Sequence, residues 1–254
     1  MLIATWNVNS IRARERLVVA WLARVGPDVL CMQETKVVDD EFPSEELQRL
    51  GYAVASAGQR SYNGVAIAAR VPLADIAIGL HDDAADAPRR LISARVGDLT
   101  VLSAYVPNGK SVDSPSFVEK LSWLERLKQT LELRHRAENV VLCGDFNVAP
   151  EARDVFDPER MRGQLHFHPD EHRALGTLLG FGLLDAYRLH EQAGGHYSWW
   201  DYRGAALRRN QGLRIDLVLI SSALSERCAS ARIDADARRC EQPSDHAPVL
   251  VEIR

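Results

Sequence analysis

Short apolar runs bounded by Gly, Pro, Asn or Asp alternate along the chain with longer stretches of helical spacing. Leu2-Ile3-Ala4-Thr5-Trp6 reads as a first strand, followed by the loop Asn7-Val8-Asn9-Ser10. From about Ile11 to Val25, the residues Leu17, Val18, Trp21 and Leu22 share one helical face, and Gly26-Pro27 stops that helix. Asp28 to Met32 is a second strand running into Gln33-Glu34-Thr35-Lys36. Further short strands are predicted at Tyr52 to Ser56, Val65 to Ala69, Leu91 to Val96 and Leu99 to Tyr105, punctuated at Asn63-Gly64 and Gly97-Asp98. A longer helix is predicted from about Pro115 to Arg136, capped by Asp113 or Ser114, with Phe117, Leu121, Leu124, Leu127 and Leu131 as its apolar stripe. Val140-Val141-Leu142-Cys143 ends at Gly144 and reads as a buried strand. A loop-and-helix section follows over roughly 149 to 192, then an aromatic loop from Tyr197 to Tyr202. Strands at Ile215 to Ile220, near 229 to 236 and at Ala247 to Val251 complete the pattern.

Strands and helices intermixed over the whole length, with no linker, low-complexity tract or sustained repeat, predict a layered α/β domain spanning residues 1–254. At 254 residues and 46% hydrophobic content the chain can bury one sizeable core. No apolar run approaches the roughly 18 residues of a membrane span. The N-terminus has no basic region followed by a long apolar stretch, so no signal peptide is expected. Cys31, Cys143, Cys228 and Cys240 lack C-x-x-C spacing and are expected to be free thiols in a reducing cytoplasm. A net charge of −4 carries no global signal for nucleic acid, although a local basic face is sufficient to bind it. Arg89-Arg90 and Arg208-Arg209 are candidate pieces of such a face, or solvated surface.

The polar residues at strand ends change the picture. Asn7 follows the first strand, Glu34 the second, Asp145 and Asn147 the middle one in Gly144-Asp145-Phe146-Asn147, and Asp245-His246 precede the last. The carboxyl ends of strands are where open α/β sheets gather ligand sites. Glu34, Asp145, Asp245 and the amides Asn7 and Asn147 are hard oxygen donors that suit Mg2+ or Mn2+, whereas a Cys/His cluster for zinc is lacking. Such a metal binds phosphate oxygens, which points to phosphate-ester hydrolysis. Asp216 lies in an otherwise apolar strand, where an unpaired carboxylate is costly, so it should have a partner. His246 is the candidate, because a carboxylate behind an imidazole fixes its tautomer and raises its basicity. Taken singly, each acid also reads as a helix cap or a surface ion pair.

Six motifs then occur along the chain: Thr5-Trp6-Asn7-Val8-Asn9-Ser10-Ile11-Arg12, Gln33-Glu34-Thr35-Lys36, Tyr105-Val106-Pro107-Asn108-Gly109, Gly144-Asp145-Phe146-Asn147, Gly212-Leu213-Arg214-Ile215-Asp216 and Pro243-Ser244-Asp245-His246-Ala247-Pro248. In these residues and their order, the chain resembles the exodeoxyribonuclease III/AP endonuclease family of the endonuclease–exonuclease–phosphatase superfamily, over essentially its whole length. The resemblance implies a four-layer α/β sandwich, with two mixed β-sheets packed face to face and helices outside. It also implies Mg2+-dependent phosphodiester hydrolysis in DNA repair, on double-stranded DNA with 3′ ends, nicks or abasic sites. Glu34 would be the principal metal ligand, with Asn7 and Asp245 nearby and Asp145, Asn147 and His246 completing the surroundings. Asp145 would orient or deprotonate the attacking water, Asn147 would donate to a non-bridging phosphate oxygen, and Tyr105 would hold the phosphate or help the leaving oxygen. His246, backed by Asp216, would bind phosphate or act as base; the choice between Asp145 and His246 as base, and between one metal and two, stays open.

Arg12, Lys36, Asn63, Arg89, Arg90 and Asn108 lie in loops beside these motifs and are candidates to grip the DNA backbone. Tyr197-Ser198-Trp199-Trp200-Asp201-Tyr202 matches the family's aromatic loop, so Trp199 or Trp200 is a candidate wall for a flipped abasic sugar or a frayed 3′ end, with at least one of the two expected in the core. The family pattern F-x-P-x-E is kept at Phe167, Pro169 and Glu171, but the usual Gly or Ser before that Phe is here His166. An imidazole there is expected to favour DNA ends over internal abasic-site cleavage, against the alternative of a solvent-facing His without effect. A phosphatase of inositol phosphates or a sphingomyelinase-like phosphodiesterase would share Glu34, Asp145, Asn147 and Asp245-His246, but not the Tyr105 motif or the aromatic loop. A non-catalytic DNA-binding protein would have lost at least one of these residues. A monomer working in the cytoplasm is the expectation.

Overall fold

Buried strands need apolar residues on both faces, and the central runs supply them: Val29–Gln33, Val65–Ala69 and Val140–Asp145 are buried at every position. In the computed structural model, which describes residues 1–136 and 139–254, these runs assemble into two six-stranded mixed sheets. The first comprises β1 (Leu2–Asn7), β2 (Val29–Gln33), β3 (Ala53–Ala57), β4 (Val65–Ala69), β11 (Cys228–Ile233) and β12 (Val249–Ile253), ordered β11-β12-β1-β2-β4-β3. The second comprises β5 (Ala74–Ile78), β6 (Leu91–Val96), β7 (Leu99–Tyr105), β8 (Val140–Asp145), β9 (Leu183–Asp185) and β10 (Asp216–Ser221), ordered β5-β6-β7-β8-β10-β9.

Ile3, Cys31, Ile67, Val101, Val141, Cys143, Val218 and Val251 fill the space between the sheets. On the outside of the first sheet, helix α1 (Ile11–Val25) packs Trp21 and Leu22 against Trp6, Leu30 and Met32. On the outside of the second, α2 (Pro115–Arg134) and α3 (Pro169–Gly180) pack Leu124, Leu127, Leu175 and Leu178 against Leu102 and Leu142. The result is the four-layer α/β/β/α arrangement. Each fully buried Leu, Val or Ile contributes roughly 1.5–3 kcal/mol, so these three clusters outweigh any single polar contact in holding the layers together.

Local chemistry sets the boundaries. Ser10 accepts from the Ala13 N–H at the start of α1, and Gly26 ends it in the left-handed conformation at φ 61°. Of the two candidate caps for α2, Ser114 accepts from the Phe117 N–H, with Pro115 in the first helical position. Gly144 is required where β7 and β8 run parallel: a Cβ there would lie 1.9 Å from the Ala104 carbonyl oxygen. Two edge strands, β5 and β9, carry no pattern that predicts them. In β5, Ile76 and Ile78 are exposed and a bulge between Ala74 and Ala77 breaks the alternation. In β9 the strand is only three residues long. The final strand begins two residues later than predicted, because Ala247-Pro248 belongs to the loop that leads into it. The described residues form no helix long and apolar enough to cross a membrane, and all four cysteines are free, with only Cys240 exposed.

Candidate active site

Strand direction gathers the polar tips at one edge. β1 and β2 are parallel, so Asn7 and Gln33-Glu34 emerge together; β12 is antiparallel to β1, so the loop entering it brings Asp245-His246 to the same end. In the second sheet β7 and β8 are parallel, pairing Tyr105 with Asp145, and antiparallel β10 pairs its first residue, Asp216, with Asp145. A buried polar tie sits just behind. Gln33 Nε2 donates to Thr5 Oγ1 at 2.9 Å and to Ser103 Oγ at 3.0 Å, and Ser103 Oγ donates to the Met32 carbonyl, fixing one sheet against the other.

At the edge itself, the Asn7 amide donates to Glu34 Oε1 (2.8 Å) and Asp145 Oδ2 (2.9 Å), bridging the two sheets. Asp145 Oδ1 accepts from the Asn147 N–H at 2.9 Å. His246 Nδ1 donates to Asp216 at 2.8 Å, which leaves Nε2 turned towards Asp145 Oδ2, 3.8 Å away. Asp245 accepts from Asn9 Nδ2 and Trp199 Nε1 at 2.9 and 3.0 Å. Lys36 Nζ lies 2.7 Å from Glu34 Oε2 and 2.6 Å from Asn9 Oδ1. Arg90 stacks over the Tyr105 ring at 4.8 Å and donates to the Tyr105 carbonyl. One ligand atom from each of Glu34, Asp145 and His246 lies within 4.8 Å of the others, a cluster able to hold a metal ion. Asn9, Glu34, Lys36 and Asn147 all have positive φ, between 46° and 55°. Left-handed backbone at non-Gly residues costs about 1–3 kcal/mol each and persists only where the surroundings over-determine it.

The electrostatics divide the acids. Burial opposes ionisation of Glu34, but Lys36 and Asn7 more than offset it and hold the carboxyl below its ordinary value. Asp245 is likewise depressed, with burial overcome by His246, Trp199 and Asn9. Asp145 goes the other way: burial, and then the nearby Asp216 and Glu34 carboxylates, raise it despite His246. Burial would lower His246, yet Asp216, Asp145 and Asp245 raise it to about 10. Burial, Glu34 and Asp145 push the Tyr105 hydroxyl well above its usual range, so it stays a neutral donor.

The structure brings together Asn7, Glu34, Tyr105, Asp145, Asn147, Asp216, Asp245 and His246 from the sequence-derived set, with Lys36, Arg90, Asn108 and Trp199 against them; Asn108 Nδ2 donates to Asn147 Oδ1 at 3.1 Å. Asn7 differs from the expected metal ligand, since its Nδ2 faces the carboxylates and its Oδ1 accepts from the Asn9 N–H. Trp200 is corrected outright as a DNA contact: it is 3% exposed, packs on Tyr197 and donates to Asn210, so its ring is core. Arg12 pairs with Glu41, lining a cleft of about 330 Å3 with Lys36 and Arg60. Asn63 bonds Gln59, and the Arg89 guanidinium turns back to the Ala85 carbonyl, so neither reaches the acids. His166 is half-buried, not solvent-facing: Nδ1 lies 2.6 Å from the Asn147 carbonyl, and burial, reinforced by Lys120, pushes it down to about 3. Its φ of 71° explains why a small residue is comfortable at this position.

Supporting residues went unnoticed in the sequence. Ser244 Oγ donates to the Asn7 carbonyl and accepts from the His246 N–H, while buried Arg238 donates to the Ser244 and Trp200 carbonyls, fixing the loop that carries Asp245 and His246. Ser198 Oγ accepts from the Ile215 and Asp216 amides. Buried Arg214 is paired with Asp154 and Asp185. Only Lys120 carried a pattern signal: it interrupts the apolar stripe Phe117, Leu124, Leu127, Leu131 from inside.

Known proteins share this arrangement. The profile of the Endonuclease/Exonuclease/phosphatase family matches residues 4–246. Exodeoxyribonuclease III of Haemophilus influenzae is 37% identical over 263 residues, covering 98% of each chain. The structure of the 3′ phosphatase NExo from Neisseria, bound to a product DNA hairpin, is similar with a TM-score of 0.97 and 40% identity, over 100% of this chain and 99% of that one. An AP endonuclease from Archaeoglobus fulgidus gives a TM-score of 0.95 at 40% identity, again over 100% and 99%. With the family model matched over residues 4–246 and sequence likeness running over nearly the whole chain, the chain belongs to the endonuclease/exonuclease/phosphatase family, among relatives of exodeoxyribonuclease III.

Proposed function

We propose that the whole chain is one catalytic domain that hydrolyses phosphodiesters of double-stranded DNA in repair, acting at 3′ ends, nicks and abasic sites. The carrying observation is the joint edge of the two sheets, where Glu34, Asp145 and the Asp216–His246 pair converge. Its likeness to an exodeoxyribonuclease III, a DNA-bound 3′ phosphatase and an AP endonuclease supports DNA as the substrate.

A divalent cation fits this site. The donors are hard oxygens, and the Asp216 and Glu34 carboxylates that add to burial in raising Asp145 are a surplus of negative charge that a cation relieves. Glu34 would be its main ligand with Asp245 beside it, and Mg2+, with Mn2+ as substitute, suits this set. When bound, the cation offsets charge on the phosphate oxygens. Asp145, raised and 3.8 Å from His246 Nε2, is suited to accept the proton of the attacking water. His246, held cationic by Asp216, is suited to bind the phosphate rather than act as base. The Asn147 amide and the neutral Tyr105 hydroxyl would donate to phosphate oxygens. Lys36, Arg90 and Asn108, with Arg12 at the rim, would position the backbone, and Trp199 would border the terminal sugar. Buried free thiols fit a cytoplasmic workplace, and a monomer is proposed.

His166, tied to the strained Asn147 backbone, would favour end trimming over internal abasic cleavage. Two duplexes test these readings, one with a recessed 3′ end and one with an internal abasic site and blocked ends, each with Mg2+ and with chelator. The expected result is Mg2+-dependent trimming of the first and slower cutting of the second, with His166→Gly raising the abasic-to-trimming ratio about tenfold. Activity confined to a small phosphate ester would overturn the DNA reading, and an unchanged ratio would remove His166.

A further inference from the structure

A lysine with no exposed surface, in the middle of a helix's apolar stripe, needs a reason. Lys120 has one: its ammonium donates to the Asn147 carbonyl (2.6 Å), to the Asn108 carbonyl (3.2 Å) and to the Glu171 carboxylate, using its full set of donors. Glu171, also fully buried, accepts through its other oxygen from the His168 N–H at the start of α3. A buried ion pair is weak grounds for stability, since an apolar pair of similar volume is often neutral or stabilising. What this pair does uniquely is hold two carbonyls. Both belong to residues whose side-chain amides meet at the phosphate side of the site, Asn108 Nδ2 donating to Asn147 Oδ1 at 3.1 Å. Asn147 has a left-handed backbone, φ 53°, and its carbonyl is gripped from two directions, by Lys120 and by His166. Releasing the ammonium removes one of the two holds on the peptide that aims the Asn147 amide.

We infer that Lys120, neutralised by Glu171, is a positioning residue that sets the Asn147 and Asn108 amides for phosphate contact from beneath the site. The inference rests on the hydrolase reading above and deepens it, with Lys120 acting only through the two asparagines. A proper test removes both charges together, because Lys120→Met alone strands a buried Glu171. In the Lys120→Met/Glu171→Leu variant, the metal-free protein is expected to stay folded. The side-chain amide resonances of Asn108 and Asn147 should shift or broaden while those of β1 and β2 stay put.

On the recessed-end duplex with Mg2+, kcat should fall about tenfold with KM changed less than about twofold. In an Asn147→Ala background the same pair of changes should cost less than about twofold more. Unmoved asparagine resonances, a full tenfold loss persisting without Asn147, or failure of the paired variant to fold would each overturn the positioning role. Wild-type turnover on the duplex tests the hydrolase reading separately, and the resonances report on Lys120 whether or not the duplex is cut.

Discussion

The two sheets bring different kinds of acid to their shared edge. From the first come Glu34 and Asp245, partly exposed and each met by donors, Lys36 and Asn7 for one, Asn9 and Trp199 for the other, so both ionise readily. From the second come Asp145 and Asp216, buried and packed against one another across a strand pair, so that Asp145 resists ionisation. The same residue type thus serves two ends, decided by burial and partners rather than by the carboxyl itself. In the proposed mechanism the first sheet would offer charge for a cation and the second a poised proton acceptor. His246 enters from the first sheet and is claimed by the second through Asp216.

The sharpest way to break this contrast is to neutralise one acid from each sheet. Asp145→Asn should lower kcat on the recessed-end duplex by about 10^3-fold, with no recovery at high Mg2+ or Mn2+, because the proton acceptor is gone. Glu34→Gln should cost about 10^2-fold and recover in part as metal is raised. A loss in Asp145→Asn that metal repairs would erase the distinction.

A smaller effect is expected from Asp216→Asn. Without that anion the His246 imidazole should titrate well below its value of about 10 in the native site, and kcat at pH 8 should fall about tenfold. NMR titration of the imidazole checks the direction. An unmoved titration would mean that Asp216 does not set it.

The mildest test is stability against pH in metal-free protein, where the two sheets should fail at opposite ends. Glu34 and Asp245 have lowered values, so their stabilising contribution is present above the ordinary carboxyl range and is lost as pH falls through the folded values. Asp145 and His246 have raised values, so theirs is full below the ordinary values and is lost as pH rises. Resistance to urea should therefore weaken as pH rises from about 6.5 towards about 10. His246→Gln should flatten that limb, while Glu34→Gln flattens only the acid one. An alkaline limb unchanged by His246→Gln would refute the assignment.

Much of this edge was legible because its acids border apolar runs: Glu34 and Asp145 follow one, and Asp245 precedes one. Asp216 announced its need for a partner by standing inside such a run, and His246 is that partner. What stayed hidden depends on relations no run encodes. Trp199 and Trp200 are neighbours of one type, yet one donates to Asp245 and the other is sealed against Tyr197, a split set by the strand-like bridge that Trp199 makes with Leu213 and His246. Ser244 and Arg238 act on the Asn7 and Trp200 carbonyls and Asn9 on the Asp245 carboxylate, all remote in sequence. β5 was missed because an edge strand need not alternate when neither face is covered. Lys120 stood in plain view within a buried helical stripe that is otherwise apolar except for Thr130, and a charge inside such a period marks a buried partner.

The division of labour between the sheets is tested most directly by calorimetric titration of Mn2+ into three proteins: wild type, Glu34→Gln and Asp145→Asn. The account predicts that Glu34→Gln weakens binding at least about tenfold while Asp145→Asn still binds Mn2+ and fails only in turnover. Equal loss of binding in both variants would mean that the two acids form one metal site, and that Asp145 is not held apart for the proton.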